Sequence, residues 1–210
     1  MRKAAGLVLI ICVFFSQLTL SQGKNSIQLN GGITSATNSS NGVTGTLQYN
    51  YHLNSNFSFF AYSGLLSWDR NNVSYYKGQS TAQNLENTYS EDSHRMVPVY
   101  IGAKYYFNNS SAFRPFVSLE TGISFLSYNL YDLQQVKTQD GYTLLVPANK
   151  NKQNETMFGV GLGIGATHDI GESLQILLEA RLNTVKNSKY DWFSSGGTIR
   201  TFQVGLGYKL

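Results

Sequence analysis

Glycine alternates with apolar residues along the stretch Thr156–His168, which reads TMFGVGLGIGATH. Successive side chains of a β-strand point to opposite faces, so one face of this segment is bare backbone and the other carries the apolar residues from Phe158 to Ala166. A glycine row facing water packs against nothing and costs about 0.5–1 kcal/mol per residue relative to alanine. The interior of an eight-stranded barrel is narrow, and bare backbone there leaves room for bulky side chains on neighbouring strands. The stretch therefore favours a barrel with its apolar face outside.

Seven further segments have a period of two and are separated by connections rich in asparagine, serine and glycine, although the phase of Phe57–Asp69 is ambiguous because its aromatic residues fall on both faces. The eight segments are Ser26–Ser35, Val43–Leu53, Phe57–Asp69, Arg95–Phe107, Phe113–Tyr128, Thr156–His168, Leu174–Lys186 and Thr198–Leu210. The connections alternate long and short, as in membrane barrels with tight turns on one side and free loops on the other. Aromatic residues near the segment ends, such as Trp68, fit the interfacial girdles of such barrels.

Charged and amide side chains occupy the minor face of several segments. The alternation places Gln48, Asn50 and Asn183 inside the barrel, and with them the five residues of a predicted network: Lys104, Glu120, Glu179, Arg181 and Gln203. The first four of these five carry two positive and two negative charges. An isolated charge in a narrow lumen costs several kcal/mol, so we expect these four to pair. We interpret the group as a polar network that fills the lumen, and a proton or ion path is the functional alternative.

The composition of the 210 residues excludes several classes of protein. Charged residues make up 13% and aromatic residues another 13%, which excludes a disordered chain. A single cysteine excludes a disulfide scaffold and a cysteine-based zinc site. The net charge is +4, and the basic residues do not form a block of the kind that binds nucleic acid. The sequence also lacks the repeated runs of about 20 apolar residues that a helical membrane bundle needs.

The N-terminus has the pattern of a secretory signal peptide. A positively charged start precedes the apolar run Leu7–Phe15, and small or polar residues follow it. We predict a signal peptide at residues 1–21, with cleavage after Ser21 or alternatively near Gly23. The remaining residues, 22–210, are predicted to form one barrel domain.

The last segment carries the sharpest single pattern. Alternating apolar and aromatic residues lead to the end of the sequence: Phe202, Val204, Leu206, Tyr208 and Leu210. Together with the stretch Val97–Phe107, this pattern resembles the small bacterial outer-membrane β-barrel domain family. That family is similar in architecture to the transmembrane domain of outer-membrane protein A and to outer-membrane protein X. Its members usually end in phenylalanine, whereas this sequence ends in leucine with a tyrosine two positions earlier.

The resemblance implies an all-β fold, an eight-stranded, antiparallel, up-and-down transmembrane barrel in the bacterial outer membrane. It also implies that these five alternating residues of the last segment are the signal read by the barrel-insertion machinery. The loop pattern places both termini in the periplasm and the long loops outside the cell. Outer-membrane lipids and lipopolysaccharide are the expected partners, with Arg70, Lys186 and Arg200 facing lipid phosphates. We expect a monomer that binds neither nucleic acid nor a cofactor.

Patterns that would indicate catalysis or metal binding are weak. His52 and His168 fall near the short turns, and His94 ends a serine- and acid-containing segment that we interpret as a solvated loop. We therefore predict a non-enzymatic protein with a structural or surface-interaction role and no metal site. Three alternatives stay open at this point: a narrow channel for small or apolar solutes, a lipid A-modifying enzyme that uses His94, and a secreted soluble barrel.

Overall fold

The computed structural model describes most of the chain after residue 24. The described residues are 25–36, 39–69, 74–76, 91–107, 111–137, 139, 143–187 and 197–210. The predicted signal peptide at residues 1–21 lies outside these residues, as does Arg70. Among the described residues, no helix is long and apolar enough to span a membrane.

Nine strands are present in the described segments. They are β1 (Asn25–Ala36), β2 (Gly42–His52), β3 (Phe57–Trp68), β4 (Ser74–Tyr76), β5 (Glu91–Tyr106), β6 (Phe113–Lys137), β7 (Thr143–Ile170), β8 (Leu174–Lys186) and β9 (Thr198–Lys209). Eight of them close into a barrel in the order β1-β2-β3-β5-β6-β7-β8-β9, and every neighbouring pair, including β9 with β1, is antiparallel. The short β4 pairs with the far end of β7, outside the barrel wall. The predicted eight-stranded barrel is confirmed.

The apolar face of the barrel points outward and the charged face points inward. Leu162, Leu178 and Leu206 are 62%, 47% and 65% exposed, whereas Glu120 and Arg181 are 2% and 3% exposed. A water-soluble barrel has the opposite arrangement, because burial of apolar side chains stabilises its fold. An outward apolar belt on a closed sheet is the arrangement required in lipid, where every backbone polar group must be paired within the protein.

The two ends of the barrel differ. At one end, short connections at residues 53–56, 107–112 and 171–173 join neighbouring strands, and Gly171 adopts a φ of 64° in the last of them. The backbone N–H of Leu210 donates to the carbonyl of Asn25 over 2.9 Å at the same end. We call this the short-turn end and the opposite one the long-loop end.

The β6–β7 hairpin is much longer than the sequence pattern predicts. The predicted segments stop at Tyr128 and restart at Thr156, yet pairing continues from Tyr128↔Gln153 to Lys137↔Thr143, with one irregularity near Asp132. The prediction of a loop here is wrong because it relied on apolar alternation. Beyond the lipid both faces of a hairpin meet water, so the backbone pairs without that alternation.

The lumen is not polar throughout, which corrects the prediction of a polar, packed interior. Its half nearer the long-loop end is filled by an apolar plug, consisting of Ala36, Leu66, Trp68, Met96, Leu126, Tyr128, Met157, Val185 and Ile199. Trp68 points into this plug and is 6% exposed, so its assignment to an outward aromatic girdle is wrong. The sequence signal fails here because both faces of the strand are apolar at this height, as Leu65 and Leu66 show.

Candidate functional site

Four charged side chains meet in the middle of the lumen and form a charge cluster: Lys104, Glu120, Glu179 and Arg181. Arg181 Nη2 lies 2.7 Å from Glu179 Oε2, and its Nη1 lies 3.7 Å from Glu120 Oε2. Lys104 Nζ lies 3.5 Å from Glu179 Oε1. All four are almost completely buried. Two cations face two anions, so the charges compensate one another inside the lumen, where the low dielectric constant makes an unpaired charge costly.

Neutral groups complete the surroundings of the charge cluster. The Tyr62 hydroxyl donates to Glu120 Oε1 over 2.9 Å, and Asn183 Nδ2 donates to the same oxygen over 2.6 Å. The Arg181 guanidinium lies 4.2 Å from the centre of the Tyr62 ring. The electron-rich face of the ring attracts the positive charge. The fifth predicted residue, Gln203, accepts a hydrogen bond from Thr46 instead of joining the cluster.

A chain of three glutamines connects the charge cluster to the short-turn end. Arg181 Nη2 donates to Gln48 Oε1, Gln48 Nε2 donates to Gln28 Oε1, and Gln28 Nε2 donates to Gln175 Oε1. Gln175 Nε2 then donates to Asp169 Oδ1 over 2.9 Å. Every amide is oriented the same way, with its donor pointing toward the carboxylate of Asp169. The chain begins at the positive guanidinium of Arg181 and ends at the negative carboxylate of Asp169, so its direction of donation agrees with the charges at both ends. Hydrogen bonds aligned in series in this way polarise and strengthen one another.

Two members of the glutamine chain, Gln28 and Gln175, are absent from the predicted lumen residues. The sequence does contain a signal for Gln28, because it lies between Ile27 and Leu29, which are both exposed on the outer face. A polar residue in the opposite phase to two apolar ones points into the lumen of a membrane barrel. The phase of β1 alone therefore places Gln28 inside the lumen.

The glycine row of β7 makes room for side chains of neighbouring strands, as expected. A Cβ atom on Gly159 would lie 1.8 Å from Tyr100 Oη, and one on Gly163 would lie 2.3 Å from Ser118 Oγ. Real Cβ contacts are essentially never this short, so any larger residue would displace the lumen side chains. The row is therefore a requirement of interior packing.

Within the part of the chain that the structure describes, His94 and His52 are not set beside a catalytic partner that a substrate can reach. His94 belongs to β5 and is buried between the rings of Trp68 and Tyr128, at centroid distances of 5.5 and 5.2 Å, so the prediction of a solvated loop is wrong. Ser93 has a φ of 53° and points outward at a bulge. At the short-turn end, His52 Nε2 lies 3.3 Å from Ser26 Oγ, but Ser26 is fully buried.

No three histidine, cysteine, aspartate or glutamate side chains of the described segments come together as a metal site would require. The predicted C-terminal signal residues line up on β9. Phe202, Val204, Leu206 and Tyr208 are exposed on the apolar outer face, and Leu210 closes the strand at the short-turn end. Their role as an insertion signal stays a prediction.

Residues 5–209 match the family described as outer membrane protein beta-barrel domain. The chain belongs to this family. Membership makes the protein an integral outer-membrane barrel, in agreement with its outward apolar belt, and it overturns the alternative of a secreted soluble barrel. No curated protein matches the sequence closely enough to count as a relative.

Solved structures with the same architecture include three outer-membrane proteins. Neisserial surface protein A shows a TM-score of 0.60 at 13% identity, with 89% of this chain and 97% of that chain covered. A major outer membrane protein from Thermus thermophilus gives 0.54 at 10% identity, covering 89% and 99%. Ail, the attachment invasion locus protein of Yersinia pestis, gives 0.51 at 11% identity, covering 90% and 99%. At these identities the likeness concerns the fold.

Proposed function

We propose that this barrel is a non-enzymatic, closed membrane anchor that presents the β6–β7 hairpin for contacts outside the cell. In this arrangement the short-turn end and both termini face the periplasm, and the long-loop end is extracellular. The observation that carries the proposal is the length of the hairpin. A transmembrane strand needs about 9–11 residues, whereas β6 has 25 and β7 has 28.

The hairpin extends well beyond the barrel rim as a paired sheet. From Tyr128 to Lys137 the strand adds about 30 Å at 3.3 Å per residue. β4 pairs with residues 143–145 and widens the sheet at its far end. A rigid sheet presents side chains with less loss of conformational entropy on binding than a free loop does, which suits a recognition surface.

The hairpin is anchored to the barrel wall by polar contacts. Asn129 Nδ2 donates to Asp92 Oδ1 over 2.8 Å, and the Tyr131 hydroxyl donates to Asp92 Oδ2 over 3.1 Å. Within the hairpin, the Tyr128 hydroxyl of β6 donates to Glu155 Oε1 of β7 over 2.6 Å and ties the two strands together at its base. These bonds fix the direction in which the hairpin leaves the barrel.

The charge of the hairpin favours an acidic partner. Residues 129–152 carry three lysines, Lys137, Lys150 and Lys152, against two aspartates, Asp132 and Asp140, which leaves a net charge of +1. A surface with excess positive charge steers polyanions toward it. Acidic polysaccharides are therefore the class of partner that fits.

Replacing residues 129–152 by an Asn-Gly turn tests the proposal, because this dipeptide closes a two-residue hairpin, keeps the pairing of Tyr128 with Gln153 and removes all three lysines. Cells that make the full chain should adhere to a heparin-coated surface more than cells that make the shortened chain at equal surface density. A neutral dextran coating is the control, and cells that make K150Q/K152Q should adhere to heparin less than cells that make the full chain. Equal adhesion by the full and shortened chains would contradict the proposal.

A narrow channel is a second candidate, and one observation favours it. Arg181 Nε and Nη1, Glu120 Oε2 and Lys104 Nζ lack hydrogen-bond partners among the described residues although they are buried. Buried polar atoms of this kind are usually satisfied by internal water. Water beside the charge cluster would start a polar path, but the apolar plug lies above it and opposes passage of ions.

A further inference from the structure

A groove crosses the outer surface of the barrel over β7, β8, β9 and β1. Its volume is about 490 Å³, and its walls are almost entirely apolar. The outward side chains that form it are Leu162, Ile164, Ala180, Leu182, Phe202 and Ile33. Because they belong to the lipid-facing belt, the groove opens toward the membrane.

The groove results from one small residue in a row of large ones. Ile164 pairs with Ala180, Ala180 with Phe202 and Phe202 with Ile33, so these four outward residues form one row across four strands. Ala180 has the smallest outward side chain of β8. The surface is therefore depressed between Ile164 and Phe202.

The end of the groove nearer the long loops is polar and positively charged. Arg200 lies two residues beyond Phe202 on β9, about 7 Å along the strand, and it lines the groove together with Ser35 and Asn41. Its side chain is exposed and forms no ion pair with any residue that the structure describes. A cation that forms no ion pair with a described residue, at the upper edge of an apolar surface, attracts an anionic head group.

We propose that this groove is a binding site for a phosphorylated lipid of the lipid A type, with acyl chains on the apolar floor and a phosphate on Arg200. The choice of lipid rests on the proposed orientation, which places Arg200 in the outer leaflet. Four strands at a spacing of about 4.8 Å give the groove a width of about 14 Å. This is broader than one acyl chain and fits a lipid that carries several chains.

The barrel offers two internal controls. A second outward groove, lined by Tyr49, Phe59, Ala61 and Ile101 among others, has no cation at its edge. Arg95 is an exposed outward cation on β5, diametrically opposite β9 in the order of strands, and does not line the Arg200 groove. Each control carries one of the two features that the proposed site combines.

Native mass spectrometry of the detergent-solubilised full chain tests the site with bisphosphorylated lipid A as the probe. We expect a one-to-one complex whose dissociation constant rises about tenfold in R200Q, as for loss of one charge-assisted hydrogen bond. A180F, which fills the groove, should weaken binding to a similar extent. R95Q and A61F should bind like the wild type, and heat-modifiable migration on gels should show that all variants are folded.

Three results would overturn the proposal. The first is equal weakening in R95Q and R200Q, because bulk charge would then explain binding. The second is unchanged binding in A180F. The third is binding of dephosphorylated lipid A or phosphatidylglycerol as tightly as the bisphosphorylated lipid. Binding in detergent does not depend on orientation, so protease cleavage of the hairpin on intact cells tests the proposed function separately.

Discussion

Gln28 donates a hydrogen bond of 2.8 Å to Gln175, although the two residues are 147 positions apart and lie on strands that are not neighbours. Gly207 of β9 stands between them in the same row, paired with Gln28 on one side and Gln175 on the other. A Cβ atom on Gly207 would lie 3.0 Å from Gln28 Cγ. The glycine therefore lets two side chains bond across an intervening strand, and the glutamine chain depends on it.

Substitution of Gln28 by leucine should destabilise the barrel. The change removes the donor to Gln175 Oε1 and one of the two acceptors of Gln48 Nε2, which also donates to Asn50 Oδ1. All of these groups are buried. Leaving buried polar groups unsatisfied costs about 1–3 kcal/mol. Urea unfolding of the protein in lipid vesicles measures the effect, with Gln135→Leu on the exposed hairpin as a control that should change little. A Q28L variant as stable as the wild type would show that the glutamine chain contributes no stability.

Enlargement of Gly163 should be costly, whereas the same change at Gly45 should be tolerated. A Cβ atom on Gly163 would meet Ser118 Oγ at 2.3 Å and Glu179 Oε1 at 3.2 Å, but one on Gly45 has no heavy atom within 4 Å. Overpacking of a filled interior costs about 1–3 kcal/mol. The free energies of unfolding of G163A and G45A, measured under the same conditions, give the comparison. Similar values for the two variants would contradict a tightly filled lumen.

The sequence predicted the barrel because lipid and lumen impose opposite chemistry on alternate residues. Leu162, Leu178 and Leu206 face outward, and the ion pairs of Arg181 lie inside, as that alternation requires. The pairing of four distant charges also followed from it, since a narrow interior leaves them no other partners.

The alternation carries no information where the two environments become alike. Near Trp68 both faces are apolar, so the plug was not predicted. Beyond Tyr128 both faces meet water, so the outer hairpin was assigned to a loop. The groove at Ala180 depends on which residues share a row across four strands, and register of this kind is set by the whole closed sheet.

The lumen should conduct no ions in its resting form. Trp68, Met96 and Met157 belong to the apolar plug, and an apolar constriction excludes ions by remaining dry. Planar bilayer recording of the wild type should therefore show no single-channel currents. E120A should also be silent, because it alters the charge cluster and leaves the plug intact. Steady currents in the wild type that rise in E120A would instead support the channel candidate.

Titration of Asp92 should report the attachment of the hairpin. Partial burial opposes its ionisation, but hydrogen bonds from Asn129, Tyr131 and Ser93 outweigh this effect and lower the pKa of Asp92 below its ordinary value of 3.8. Because the folded-state pKa is depressed, these bonds contribute fully above about pH 4 and are lost as the pH falls through the lowered pKa. The side-chain amide resonance of Asn129 should titrate with a midpoint below 3.8 in the wild type and stay flat in D92N. A midpoint at or above the ordinary value would show that the contacts do not favour the carboxylate.

Substitution of His94 by alanine should leave membrane lipids unchanged and weaken the barrel. The imidazole is 2% exposed and stacks nearly parallel to Trp68 and Tyr128, at interplanar angles of 11° and 6°. An enclosed ring has no access to lipid A, so the lipid A mass spectrum of cells making H94A should match that of cells making the wild type. Loss of the stack leaves a cavity between two aromatic rings, and we expect a cost of about 2–4 kcal/mol in the free energy of unfolding. His168, which is exposed near the short-turn end, is the control, and H168A should change neither quantity. A lipid A modification that disappears in H94A while the stability is unchanged would instead make His94 a catalytic residue.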